Sequence, residues 1–187
     1  RARISRLQEA GLLDRIPLDG PGRDVVVLTD RGRDLLDGHR LPRDDARSQT
    51  FYAGLKKPRE LSHDAQVYRA FQRAEARIRD QGGRVRRVVL DYELKRDYQR
   101  FLQARNRGRA DSDGRPDRTA EEVAAWARQH DLPYFDDAVH FPDARIEYDD
   151  ARDPRHEDIE VVTPHYRGAH AAGAARSGFR RYGAGFS

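Results

Sequence analysis

The chain has no cysteine and no methionine, and a single tryptophan in 187 residues. Without cysteine there is no disulfide framework and no thiolate metal site. Lysine is scarce as well: Lys56, Lys57 and Lys95 are the three among 36 cationic residues. No apolar run approaches the ~20 residues that span a bilayer, and no signal-peptide pattern is present. Both absences point to a cytoplasmic chain with no membrane partner. Mean hydropathy is −0.98. With 37% hydrophobic and 36% charged residues, one large core cannot be filled, and two small domains with thick charged surfaces are expected. Position 1 is not methionine, and a helical pattern already runs through Arg1-Ala2-Arg3. The sequence is therefore read as truncated at its N-terminus.

What is present begins with arginine. The net charge of +4 fits guanidinium recognition of phosphate and guanine. It fits the codon preference of a GC-rich genome equally well, so charge alone lends mild support to a nucleic-acid partner.

Residues 1–13 carry Ile4, Leu7 and Ala10 at helical spacing, with Gly11 as a stop. Leu12, Leu13 and Ile16 follow as a strand, Asp19-Gly20-Pro21-Gly22 as a turn, and Val25-Val26-Val27-Leu28 as a second strand. Thr29 then caps a helix bearing Leu35 and Leu36. This order, with Arg6-Leu7, Gly11-Leu12-Leu13 and Leu28-Thr29-Asp30-Arg31-Gly32, resembles the back half of a winged helix-turn-helix domain. The resemblance implies that residues 1–10 form a recognition helix in the major groove of double-stranded DNA. Arg1, Arg3, Ser5 and Arg6 would then be its DNA contacts, with Arg15 and Arg23 on phosphates at the wing. A small αββα module packing on another element is the plainer reading.

Residues 1–40 are thus assigned to a winged-helix domain and 41–60 to a connector, in which Phe51, Tyr52 and Leu55 mark a docking segment. A second domain is expected over 61–170, with a tail over 171–187. Ser62 caps a helix with Val67, Phe71, Ala74 and Ile78 on one stripe, ended by Gln81-Gly82-Gly83. A strand over 84–92 and a helix over 93–106 (Tyr98, Phe101, Leu102) follow. After a polar loop, Thr119 and Glu122 have capping-box spacing before Val123, Trp126, Ala127 and His130. The last two strands cover 143–149 and 157–163 and are joined by a loop over 150–157. In the first, Ala144, Ile146 and Tyr148 face opposite to Asp143, Arg145, Glu147 and Asp149. The expected class is α/β (α+β) with a small mixed sheet.

Pro142-Asp143 on one strand and Glu160 on the next could set two carboxylates across from each other. Such a pair suits Mg²⁺, which takes hard oxygen ligands and activates water for phosphodiester cleavage. The order αβ…ββ with these residues resembles the PD-(D/E)XK nuclease superfamily, a restriction-endonuclease-like fold. The pattern breaks two residues after Glu160, where Val162 stands in place of lysine. Lys95, closing Glu93-Leu94-Lys95, is the one candidate for a migrated lysine. The plain alternative for Asp143, Glu147 and Glu160 is a solvated strand face.

Other candidates are weaker. His63-Asp64 reads as helix-end chemistry. His165 and His170 lack zinc-site spacing, and Asp111-Ser112-Asp113-Gly114 lacks the spacing of an EF-hand. The tail mixes Arg176, Arg180 and Arg181 with Phe179 and Tyr182, as a frayed terminus or as a platform for single-stranded bases.

Taken together, Leu28–Gly32, Leu61-Ser62-His63-Asp64, Pro142-Asp143 and Asp158-Ile159-Glu160-Val161 resemble the replication-relaxation family of bacterial plasmids and mobile elements. That implies a cytoplasmic DNA-binding protein whose second domain is a catalytically degenerate nuclease-like fold. Two alternatives stay open. One is an Mg²⁺-dependent endonuclease with catalytic Asp143, Glu160 and Lys95, the two acids holding the metal. The other is a winged-helix transcriptional regulator. A homodimer is compatible with each.

Overall fold

The structure, a computed structural model, describes residues 2–17, 24–39, 49–55, 60–111, 113–150, 153–162 and 176–183. The chain forms two compact units, 1–61 and 62–187.

In the first unit, α1 (Ala2–Glu9) ends at Gly11, whose φ of +69° is a left-handed position that glycine takes at little cost. The amides of Gly11 and Leu12 return to the Gln8 and Leu7 carbonyls at 2.8 and 2.9 Å. β1 (Leu13–Pro17) and β2 (Asp24–Leu28) pair antiparallel, with Leu13 opposite Leu28. Thr29 then fixes the start of α2 (Asp30–Gly38). Its hydroxyl accepts from the Gly32 amide at 3.0 Å and donates to the Gly11 carbonyl at 2.7 Å. Gly32 is required by contact: a Cβ there would lie 2.1 Å from the Leu12 carbonyl oxygen. Residues 49–55 return to this hairpin, where the Gly54 amide donates to the Leu28 carbonyl at 2.8 Å.

The second unit opens with α3 (Leu61–Asp80), one residue before the expected Ser62 cap. β3 (Arg84–Leu90) leads directly into α4 (Asp91–Gln103), because the Glu93 carboxylate accepts from the Leu90 amide at 3.3 Å and closes the helix start. The helix therefore begins at 91, not at 93. α5 (Ala120–Gln129) carries the anticipated capping box of Thr119 and Glu122. A short hairpin, β4 (Tyr134–Phe135) and β5 (Ala138–Val139), was not expected. Its turn uses Asp136 and Asp137 at φ of 51° and 55°, in place of the usual Asn-Gly signal. β6 (Ala144–Asp149) and β7 (Pro154–Val162) follow, then β8 (Arg180–Gly183).

The hairpin between β6 and β7 is tighter than the expected 150–157 loop. Asp149 pairs with Pro154, and the Asp150 carboxylate accepts from the Asp153 amide at 3.1 Å. β8 corrects the assignment of a tail over 171–187: Arg180–Gly183 is a strand parallel to the end of β7. The sheet order is β3-β6-β7-β8, with the first two pairings antiparallel and the third parallel.

Helices cover both faces of this mixed sheet. Val67, Ala70, Ala74 and Ile78 of α3 pack on Ala144, Ile146, Ile159 and Val161. On the other face, Val89 meets Leu94, Trp126, Ala127 and Leu132 of α4, α5 and the turn after it. The chain is therefore of the α+β class.

Candidate functional site

The sequence candidates fall into two groups, one in each unit. On α1, Arg3, Ser5 and Arg6 are exposed, and no residue of this helix is buried. Arg3 and Arg6 make no ion pair with any described residue. Arg15 lies at the hairpin and pairs across it with Asp24 at 3.1 Å. Both side chains are exposed, so this pair is weak and competes poorly with a phosphate. Arg1 and Arg23 lie outside the described residues, as do His165 and His170.

In the second unit, one rung past the end of the sheet gathers the acidic candidates. The Asp91 amide donates to the Asp143 carbonyl at 3.2 Å, and the Asp143 amide donates to the Ile159 carbonyl at 3.0 Å. Extending the Ala144–Ile159 register by one residue sets Asp143 opposite Glu160, as the strand spacing predicts. Neither side chain is on a solvated face. The Asp143 side chain is 20% exposed and Glu160 is 8% exposed, which corrects the plain reading.

Burial does not assemble a catalytic centre. Asp143 Oδ2 accepts from the Val161 amide at 2.7 Å, and Oδ1 lies 3.2 Å from His63 Nε2. Both oxygens of the proposed metal ligand are committed within the fold. Lys95 Nζ pairs with Asp91 at 2.6 Å, one turn back on the same helix. Among the described residues, no group of three His, Asp or Glu side chains is arranged to hold a metal ion. Val162 occupies the position where the nuclease pattern calls for lysine. This donor set does not fit Mg²⁺, and no hydrolytic step follows from it.

His63 was read from sequence as helix-end chemistry, and its contact with Asp143 was missed. It sits in the first turn of α3 and reaches Asp143, 80 positions later. The hydrogen bond to Asp143 raises its pKa above the ordinary 6.5, against the opposing effect of burial; the charges of Asp143, Asp64 and Asp91 add to the rise. No local pattern announces such a contact, because it exists only once α3 lies across the sheet.

Arg145 was assigned to the strand face of Asp143, Glu147 and Asp149, opposite the apolar one. It is buried. Its guanidinium holds Asp158 through bonds of 2.7 and 2.8 Å and donates to the His130 and Asp131 carbonyls at 2.6 and 2.9 Å. It thereby ties the end of α5 to the sheet. Glu93, almost fully buried, accepts from Arg87 at 3.0 Å on that same face.

No protein-family model matches the chain, no curated protein matches it, and no solved structure matches its fold. No helix among the described residues is long and apolar enough to cross a membrane.

Proposed function

We propose that the chain is a DNA-binding protein of the mobile-element replication or relaxation type. Its first unit grips double-stranded DNA as the back half of a winged helix, and its second is a nuclease-like fold without catalysis. The observation that carries this reading is α1: an exposed helix whose Arg3 and Arg6 make no ion pair with a described residue, joined through Gly11 to a two-stranded hairpin. A helix of that diameter fits the major groove, and the hairpin beside it is suited to the flanking backbone. The order αβ followed by ββ, with Pro142-Asp143 leading into one strand and Glu160 on the next, supports the nuclease-like half. The commitment of Asp143 to His63 and the Val161 amide supports its inactivity.

Duplex binding measured by fluorescence anisotropy over a salt series tests the first half. Each phosphate contact contributes a slope of about −0.9 to log K against log salt. Replacing Arg3 and Arg6 by alanine should therefore weaken binding and flatten the slope by up to about 1.8 units. Unchanged affinity in that variant would sink the assignment of α1. Supercoiled plasmid with Mg²⁺ or Mn²⁺ tests the second half. Wild type and Asp143→Ala should both leave it intact, and metal-dependent nicking lost in the variant would establish an active nuclease instead.

A further inference from the structure

A second feature of the 62–187 unit is independent of the sheet-end acids. β8 begins its pairing at Ile159 of β7, so the preceding stretch of β7, His156 to Asp158, has no described strand beside it on that edge. The chain enters β8 through Gly178, at a φ of +76°, and the Phe179 amide donates to Ser177 Oγ at 3.4 Å. Between this turn, the edge of β7 and the turn after α5 lies a cavity of about 650 Å³. That is in the range of small-molecule sites.

The charges around it are not equivalent. Asp158 is neutralised by Arg145, and Glu157 is held by Arg77 and by the Tyr182 hydroxyl. Arg128 and His156 have no side-chain partner among the described residues. Among the described residues Arg180 reaches one acid, Glu157, at 3.5 Å, and it remains half exposed. Glu157 and Asp158 are spent internally, so two cations with donors to spare, Arg128 and Arg180, stand against one acid, Asp131, and the site favours an anion. Leu132, Pro133 and Phe179 supply an apolar wall, and the exposed Asp131 offers an acceptor with no described side-chain partner.

We propose that this cavity binds a phosphate monoester carried on a flat, hydrogen-bonding body, the chemistry of a mononucleotide. Arg128 and Arg180 take the phosphate oxygens, with His156 beside them. Phe179 and its apolar neighbours face the base, and Asp131 accepts from a sugar hydroxyl or an exocyclic amine. The same group exists as a free nucleotide and as the 5′-phosphorylated end of a strand.

Calorimetric titration of the full chain tests the assignment, with adenosine monophosphate, adenosine and inorganic phosphate as probes. The nucleotide should bind at least about tenfold more tightly than either fragment, as expected when charge-assisted bonds and the apolar wall act together. Arg128→Ala should weaken it about tenfold. Arg128 is exposed and has no side-chain partner among the described residues, so the fold survives that change, which circular dichroism verifies. Arg73→Ala, an exposed arginine of α3 that does not line the cavity, should leave affinity unchanged. Equal binding of nucleotide and nucleoside, no binding of the nucleotide, or equal losses in the two variants would each overturn the proposal. Competition by a 5′-phosphorylated oligonucleotide, but not by its 5′-hydroxyl form, assigns the ligand to a strand end. Failure of both to compete assigns it to the free nucleotide. The Arg3 and Arg6 variant should retain nucleotide binding, so loss of duplex affinity leaves this site standing.

Discussion

Replacing Arg145 by methionine should destabilise the second unit by about 3–5 kcal/mol, the range for removing one partner of a buried ion pair. The Arg145 and Asp158 side chains are 9% and 10% exposed, so solvent cannot replace the bonds that are lost. Methionine keeps much of the volume, and the cost lies in charge and hydrogen bonding. Asp158 would be left as an uncompensated buried carboxylate. The His130 and Asp131 carbonyls, which accept at 2.6 and 2.9 Å, would lose their donor. In Arg145→Met combined with Asp158→Leu the orphaned charge is gone, and most of the loss should be recovered. The two carbonyls then account for a residue of about 1–3 kcal/mol. Trp126 is the single tryptophan of the chain and is buried in this unit. Urea unfolding followed by its fluorescence therefore reads the second unit alone. The single variant corresponds to a fall in Tm on the order of 10–20 °C for a unit of this size. A loss below about 1 kcal/mol, the level of an exposed pair, would refute the argument. So would a double variant no more stable than the single one.

Three further perturbations address other joints. Gly32→Ala forces a Cβ onto the Leu12 carbonyl oxygen and should destabilise the first unit by about 1–3 kcal/mol, the usual cost of overpacking; hydrogen exchange of the hairpin amides measures it, and unchanged protection would contradict the close approach. Thr29→Val removes both the cap on Gly32 and the bond to Gly11; a loss of about 1–2 kcal/mol is expected by the same measurement. His63 has a raised folded pKa, so the folded state holds its proton to a higher pH than the unfolded chain does. Its contribution is complete below about pH 6.5 and is lost as pH rises through the folded value. The side chain is 41% exposed, so screening keeps the effect small. Stability of the wild type should decline across that window while His63→Gln stays flat; parallel profiles would dismiss the pair.

Much of the local structure was legible because local chemistry determines it. Gly11, Thr29 and the Thr119–Glu122 box mark helix ends through bonds within a few residues of each other, and the structure makes each of those bonds. The apolar stripe on α3 follows from 3.6-residue periodicity, and its partners Ala144 and Ile146 follow from strand alternation. What failed was the meaning of the other face of the sheet. Alternation of apolar and charged residues in 143–149 predicts a strand with one side in water. It cannot tell water from a layer of neutralised charge. Arg145 and Glu93 look solvated in sequence because their partners, Asp158 and Arg87, are remote or sit on another element.

That ambiguity is also why the acidic pair was easy to over-read. Two carboxylates facing each other at a sheet end invite a metal, since charge left in a buried place needs a counter-charge or donors. Register brings Asp143 and Glu160 opposite, as the spacing implies. Yet the counter-group for Asp143 is a histidine from α3 together with a backbone amide of β7. An acid that caps its own sheet in this way holds three elements together: α3 through His63, β7 through the Val161 amide, and the start of α4 through the bond that the Asp91 amide donates to the Asp143 carbonyl. A structural role of this kind sets its own signature. Asp143→Asn can still accept from the Val161 amide but loses the charge beside His63, so it should remove the pH dependence attributed to that residue while leaving DNA affinity intact. A metal ligand would behave otherwise, with stability rising on addition of Mg²⁺ in the wild type and not in the variant.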